Sequence, residues 1–311
     1  MISVAWQFLL NVLYASVSVG GVFLLLKIFS QWMDGHFNLK WKKLLYLFLT
    51  IRLLIPINMQ IPYYNIKTDN LTRDIVDFSG KAETDINNYS KNFLLPLNIN
   101  IEAGHYKISV HAVLFFIWVI GFLIYFVFTF TGYIINRHKI LQYTITANNI
   151  RKVAINICEE IGLNKIPVIL YSPIEISPMV LGMLKPILLL PEIEYSDEEI
   201  YFILKHELIH LKQKDNIYKY ILQLANAVHW FNPLVYMFVS EASLNLEFLC
   251  DEEVVKNSSL DMKKRYTYTI LNSASKAAGP PLKYFTKFQE NKKIMKKRFR
   301  NIIKKVTGNV V

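Results

Sequence analysis

Apolar and polar positions divide the chain into three long apolar runs followed by a mixed half. Ser3 to Leu26 carries no charged residue, and as a helix rising about 1.5 Å per residue it is long enough to cross a hydrocarbon core of about 30 Å. Leu44 to Asn58 is shorter and contains Arg52, while Ile108 to Ile135 is long and aromatic, with His111 near its start. No basic stretch precedes the first run and no small-x-small site closes it, so it is expected as a retained span. Arg52 is read as snorkelling its guanidinium towards the outer interface. Gln60 to Lys107, rich in Asn, Asp, Lys and Thr, shows little periodicity and is expected as a mostly irregular external loop.

After Ile135 the pattern changes. Ile150, Val153, Ala154, Ile157 and Ile161 form one helical stripe that Gly162 ends. Pro167 to Tyr171 reads as a strand, and Ser177 to Pro191 (SPMVLGMLKPILLLP) as a hairpin of two short apolar strands, its flanking prolines suiting an edge. Ser196-Asp197-Glu198-Glu199 is a capping box opening a helix, EEIYFILKHELIHL, whose apolar residues occur nearly all the way round and so predict burial.

Composition and charge set the surroundings. Of 311 residues, 53% are hydrophobic and 19% charged, too apolar for an ordinary soluble domain and consistent with spans joined to a water-facing part. Lys27, Lys40, Lys42 and Lys43 stand against Asp34 between the first two runs, and Arg137, His138, Lys139, Arg151 and Lys152 follow the third. By the positive-inside rule the N-terminus and the middle loop lie outside, and everything after Ile135 is cytosolic. Cys158 and Cys250, the two cysteines, are too few for a disulfide framework and fit a reducing compartment.

The chemistry centres on His206-Glu207-x-x-His210, in a chain with 7 histidines. Residues four apart on a helix project from one face, while Glu207 is turned away by about 100°. Two imidazoles in an apolar interior need partners, and a zinc ion satisfies both, leaving Glu207 as general base on an activated water. Gln213 and Asn216 stand where a metzincin needs glycine and a third histidine, which excludes that class. His229, in NAVHWFNP, reads as a structural hydrogen-bonder. The better third ligand is a carboxylate in SEASLNLEFLCDEEVV, where Glu247 and Asp251 share a face with Leu244, Phe248, Val254 and Val255. Glu247 is expected as the ligand and Asp251 as the acceptor of an imidazole N–H. His229 and Arg265 are guesses for an oxyanion donor.

The order of three spans, a HELIH helix, HWFNP and then EFLCDE resembles the BlaR/MecR-type membrane metallopeptidases, the proteolytic transducers of beta-lactam sensing in bacteria. SPMVLGMLKPILLLP is similar to the segment that precedes the zinc helix there. The likeness covers most of residues 1–260. A more distant likeness is to CAAX prenyl protease-type gluzincins, with their zinc helix and downstream Glu-x-x-x-Asp. The resemblance implies His206, His210 and Glu247 as zinc ligands, Glu207 as base, Asp251 as the orienting acid, cleavage of the chain itself, and inactivation of a cytosolic BlaI/MecI-type repressor. The sequence departs from full-length sensors, because neither a fourth span nor a penicillin-binding segment follows the peptidase region. No Ser-x-x-Lys lies outside the membrane, so the chain reads as a sensorless relative or a fragment.

Lys283 to Val306 carries ten basic residues against the acid Glu290, interleaved with Phe, Ile and Met. Such an amphipathic segment is expected on anionic lipid of the inner leaflet, with no direct nucleic-acid contact. The expectation as a whole is an α-helical, multi-pass membrane protein with a small α+β gluzincin (HExxH) metallopeptidase domain in the cytosol. Residues 1–135 would form the membrane domain, 136–280 the peptidase and 281–311 the basic segment, with a homodimer left open. Two other readings stand beside it: a non-catalytic signalling scaffold whose zinc is structural and closed by Cys250, and a housekeeping protease for damaged membrane proteins.

Overall fold

The computed structural model describes residues 2–29, 38–55, 100–103, 106–173, 176–182, 185–276 and 292–307. Expectations for 56–99 and for 277–291 lie outside the described residues.

The apolar runs form α1 (Ile2–Ile28), α2 (Leu39–Leu54) and α3 (Val110–Leu141). A two-stranded antiparallel pair, β1 (Asn100–Ala103) and β2 (Tyr106–Ser109), leads into α3. α1 and α3 are long and apolar enough to cross a membrane. One side of α3 presents Phe116, Ile120, Ile124, Val127, Phe128 and Phe130 outward, an apolar surface that water would disfavour and acyl chains would not. α2 begins earlier than its apolar run and so includes Lys40, Lys42 and Lys43; Asn38 caps it by accepting from the Lys40 N–H. Its 16 residues extend about 24 Å, short of a full crossing. Near its end Arg52 donates to the Ile55 carbonyl, which matches a guanidinium reaching past the helix terminus.

The mixed half begins with β3 (Ile145–Thr146), α4 (Arg151–Ile161) and β4 (Val168–Ser172), followed by β5 (Met179–Leu181) and β6 (Ile187–Pro191). The strands form one sheet in the order β3-β4-β6-β5, with β4 and β6 parallel and the other pairs antiparallel. β5 is therefore an edge strand, as its flanking prolines indicated. Gly162 ends α4 in the left-handed conformation at φ 72°.

α5 (Asp197–Lys212) starts at the expected capping box: the Glu199 N–H donates to the Ser196 hydroxyl and the Ser196 N–H to the Glu199 carboxylate. It is buried from two sides. Ile200, Ile203, Leu204 and Leu208 pack with α4 and the sheet, while Phe202 and Ile209 join a cluster contributed by α7 (Pro233–Val254), α8 (Leu260–Lys276) and α9 (Lys292–Thr307).

α6 (Asp215–Val228) and α7 make a helical hairpin that leaves this core and packs between α1, α2 and α3. Its tip is HWFNP, and four of these five residues have a visible task. The His229 ring is hydrogen-bonded through Nε2 to the Leu53 carbonyl of α2 (3.1 Å), so it is a structural hydrogen-bonder as expected. The Trp230 indole donates to the Trp118 carbonyl of α3, and Trp118 returns a bond to the Val228 carbonyl. Asn232 caps α7, accepting from the Leu234 N–H, and its amide donates to the Ser16 hydroxyl of α1 at 2.6 Å. Pro233 then occupies the first turn of α7, where no N–H is needed.

Candidate metal centre

α5 brings His206 and His210 to one buried face, their rings perpendicular and their Nε2 atoms 3.1 Å apart. α7 crosses opposite and supplies Glu247, whose Oε2 lies 3.5 Å from each Nε2. Three donor atoms thus face one point. An ion about 2.0–2.2 Å from each, in tetrahedral geometry, would separate them by about 3.3–3.6 Å. The two Glu247 spacings fall in that range, and the 3.1 Å between the Nε2 atoms lies just below it.

The groups behind the rings decide which nitrogen is bare when each ring is neutral, as a metal ligand must be. His210 Nδ1 is 2.8 Å from Asp215 Oδ2 at the start of α6; the carboxylate can only accept, so the proton sits on Nδ1 and Nε2 presents its lone pair. His206 Nδ1 is 2.8 Å from the Tyr266 hydroxyl, whose own proton goes to Asp251 Oδ1 at 2.7 Å. The Tyr266 oxygen therefore accepts from His206, and the second Nε2 is bare as well. With both rings neutral, two lone pairs would face each other 3.1 Å apart, a repulsion that a proton or a metal ion between them relieves.

This geometry amends the expectation for Asp251. Its Oδ1 is 3.6 Å from His206 Nδ1, and Tyr266, from α8, stands between them. Asp251 acts through Tyr266 rather than directly. Asp215 performs for His210 the direct role that had been assigned to Asp251. It is fully buried, and Lys43 of α2 donates to its other oxygen at 2.8 Å. Lys214 adopts φ 55°, in the left-handed region, at the turn that swings Asp215 back under His210.

Two further cations were missed. Lys219 of α6 donates to Glu247 Oε1 at 3.0 Å, which leaves Oε2 directed at the imidazoles. Arg298 of α9 forks Asp251, with Nε 2.9 Å from Oδ2 and Nη2 2.7 Å from Oδ1. Nothing local marked either residue. Asp215 alone had a visible signal, an acid five positions after the second histidine.

Cys250 approaches the same edge of the His206 ring as Tyr266 does. Its Sγ is 3.3 Å from Nδ1 and donates to the His206 backbone carbonyl at 3.2 Å. His206, His210 and Cys250 offer ligand atoms within 4.8 Å of one another, so a thiolate contribution is sterically open. The electrostatics of the site favour cations. Burial alone would lower the His206 pKa, but Cys250 and Glu247 outweigh it and raise it to about 9. Against the same burial penalty, Cys250, Glu247 and Asp215 hold His210 well above its ordinary value. Burial would raise Glu247, yet Lys219 and the two imidazoles keep it well below the usual carboxylate range.

Glu207 is buried beside the pair and lines the same cleft. One wall of that cleft is β5 with Ser177 and Pro178; the other is α8, through Thr269, Ile270 and Ser273. The guesses for an oxyanion donor lie elsewhere. His229 sits at the hairpin tip, and Arg265 is exposed, paired with Asp261 and Glu198.

A mostly helical chain with two span-length apolar helices and an HExxH helix facing a Glu-x-x-x-Asp helix has the construction of a membrane-associated peptidase. The chain belongs to the M56 peptidase family: the family described as BlaR1 peptidase M56 matches residues 6–302. It is 28% identical over 217 residues to Regulatory protein BlaR1 of Bacillus licheniformis, which covers 68% of this chain and 36% of that relative. It is 22% identical over 273 residues to the methicillin resistance mecR1 protein of Staphylococcus aureus, covering 85% of this chain and 45% of the relative. The mecR1 protein of Staphylococcus epidermidis matches to the same extent. The chain thus spans less than half the length of these curated relatives.

Proposed function

We propose that this chain is an integral-membrane zinc metalloendopeptidase of signal transduction, with a gluzincin-type site facing the cytosol. His206, His210 and Glu247 would hold the zinc, and the observation that carries this reading is the convergence of their three donor atoms, 3.1 and 3.5 Å apart. When bound, the ion supplies Lewis acidity to the attacking water and to the scissile carbonyl. Glu207 takes a proton from that water and returns it to the leaving amine nitrogen. Asp215, directly, and Asp251, through Tyr266, keep the imidazole protons on Nδ1. The β5 edge binds the substrate backbone as an added strand beside the histidines. Asn216 already donates to the Val180 carbonyl on that edge, so it must yield or share this acceptor when a peptide docks.

The family and its named relatives support a regulatory role, in which the substrates are the chain itself and a cytosolic BlaI/MecI-type repressor. The basic connectors support a multi-pass topology with residues 1–135 in the membrane and 136–280 as the cytosolic peptidase domain. The outer face of α9, with Lys296, Lys297 and Arg300, is offered to anionic lipid.

The test is Glu207→Gln in the full chain, reconstituted with a BlaI/MecI-type repressor. Zinc content should stay at the wild-type level while cleavage of chain and repressor falls by about 10²–10⁴-fold. Undiminished cleavage would remove Glu207 as the base. A second reading, a structural zinc closed by Cys250, draws on the proximity of Sγ to both histidines. Cys250→Ser separates the two. The peptidase reading expects zinc and cleavage retained, whereas loss of zinc would favour the closed structural site.

A further inference from the structure

α9 is basic and amphipathic, and by sequence its cations belong outside. The structure turns one of them inward. α9 packs on α7 and α8, and Ile302 enters the cluster of Phe202, Ile209, Cys250, Val254 and Tyr266. One turn earlier on the same face, Arg298 is 2% exposed. Its guanidinium forks Asp251, which is fully buried, and its Nη1 comes within 3.7 Å of Glu247 Oε2.

A carboxylate with no contact to water carries a desolvation penalty unless a cation and further donors satisfy it. Tyr266 supplies one donor to Asp251, but a neutral one. Among the described residues, Lys219 is engaged on Glu247 and Lys43 on Asp215, and the ion pairs recorded for Asp251 itself run to His206 and Arg298. The guanidinium that forks the buried Asp251 carboxylate, and so holds it where Tyr266 donates to it and accepts from His206, comes from α9.

We propose that Arg298 is a positioning residue of the metal centre, and that the docking of α9 is therefore linked to metal affinity. The line runs Arg298, Asp251, Tyr266, His206. With the guanidinium withdrawn, the Asp251 carboxylate loses the fork that fixes its orientation, the Tyr266 hydroxyl loses its fixed acceptor, and the His206 ring loses the partner that orients Nε2. Glu247 loses a neighbouring positive charge in the same event. The inference rests on the metal-centre reading above.

The experiment uses the full chain in lipid nanodiscs and reads zinc retained against a graded chelator, alongside the thermal midpoint. Arg298→Ala should release zinc at about 10- to 100-fold lower chelator strength than wild type, the range found when a partner behind a metal ligand is removed. Arg298→Lys, which keeps the charge but loses the fork, should fall between the two. Lys297→Ala, at an exposed position paired 3.8 Å from Glu241, should match wild type. Should Arg298→Ala lack a thermal transition, Arg298→Lys decides. Faster zinc release from the lysine variant supports the proposal, and wild-type retention overturns it. Folded Arg298→Ala that holds zinc as wild type does also overturns it. His210→Ala serves as the reference. If it too holds zinc like wild type, the metal-centre reading has failed and this inference falls with it, whereas loss in His210→Ala with retention in Arg298→Ala sinks the inference alone.

Discussion

Asp215 lies at the first position of α6, fully buried, with His210 on one oxygen and Lys43 on the other. Burial would raise its pKa, but His210 and Lys43 overcome this and hold it below the ordinary carboxylate value. It remains an anion behind the imidazole and keeps the ring proton on Nδ1. Asp215→Asn retains an acceptor of the same shape while removing the charge. Metal affinity in that variant should drop by about 10- to 100-fold with the fold retained, measured by competition with a chromogenic chelator. Unchanged affinity would take Asp215 out of the centre. At this scale the sequence was informative where spacing alone set geometry: His206 with His210, and Glu247 with Asp251. It was silent on Tyr266, Lys43 and Arg298, because 60 positions separate Tyr266 from His206, 172 separate Lys43 from Asp215 and 47 separate Arg298 from Asp251. No local pattern encodes such a meeting.

α5 is the element most fully legible in the sequence. Its capping box, its all-round apolar character and its two-sided burial follow from a 3.6-residue period and from the orphan N–H groups of a helix start. Ser196→Ala should cost about 1 kcal/mol, read as a lowered thermal midpoint. Glu199 adds a pH dependence. Burial would raise its pKa, but the Ser196 N–H, the Asn272 amide and Lys276 bring it below the ordinary value. A folded pKa beneath the unfolded one means the contribution is complete above about pH 4.5, the ordinary Glu value, and disappears as pH falls through the depressed folded value. Glu199→Gln should therefore narrow the loss of stability between neutral and acid pH, and an unchanged acid profile would contradict this. α9 is the contrasting element. Its charge pattern suggested a lipid surface, while its packing buries Arg298, because an amphipathic stripe shows that a face will be covered without showing by what.

For the molecule as a whole, the feature that joins the apolar helices α1, α2 and α3 to the candidate metal centre is the α6–α7 hairpin. It carries Asp215, Lys219, Glu247 and Asp251, and its tip is bonded to α1, α2 and α3. Gly121 of α3 makes room for that tip, since a Cβ there would stand 2.3 Å from the Trp230 ring. Gly121→Ala must displace the indole, with an expected cost of about 1–3 kcal/mol, visible as a lower thermal midpoint. A midpoint equal to wild type would mean Trp230 is not seated against α3. HWFNP could be recognised in the sequence as structural, but its partners could not, since they belong to three separate helices. The apolar runs, the start of α5, the end of α4, the β5–β6 hairpin and the shared faces of the ligand pairs were set by the sequence alone, because each depends on neighbours within a turn or two. The tertiary fold decided which carboxylate stands behind which imidazole, which cations neutralise them, and where the basic helix docks. Those choices depend on how helices cross in space, and only the packed core fixes that.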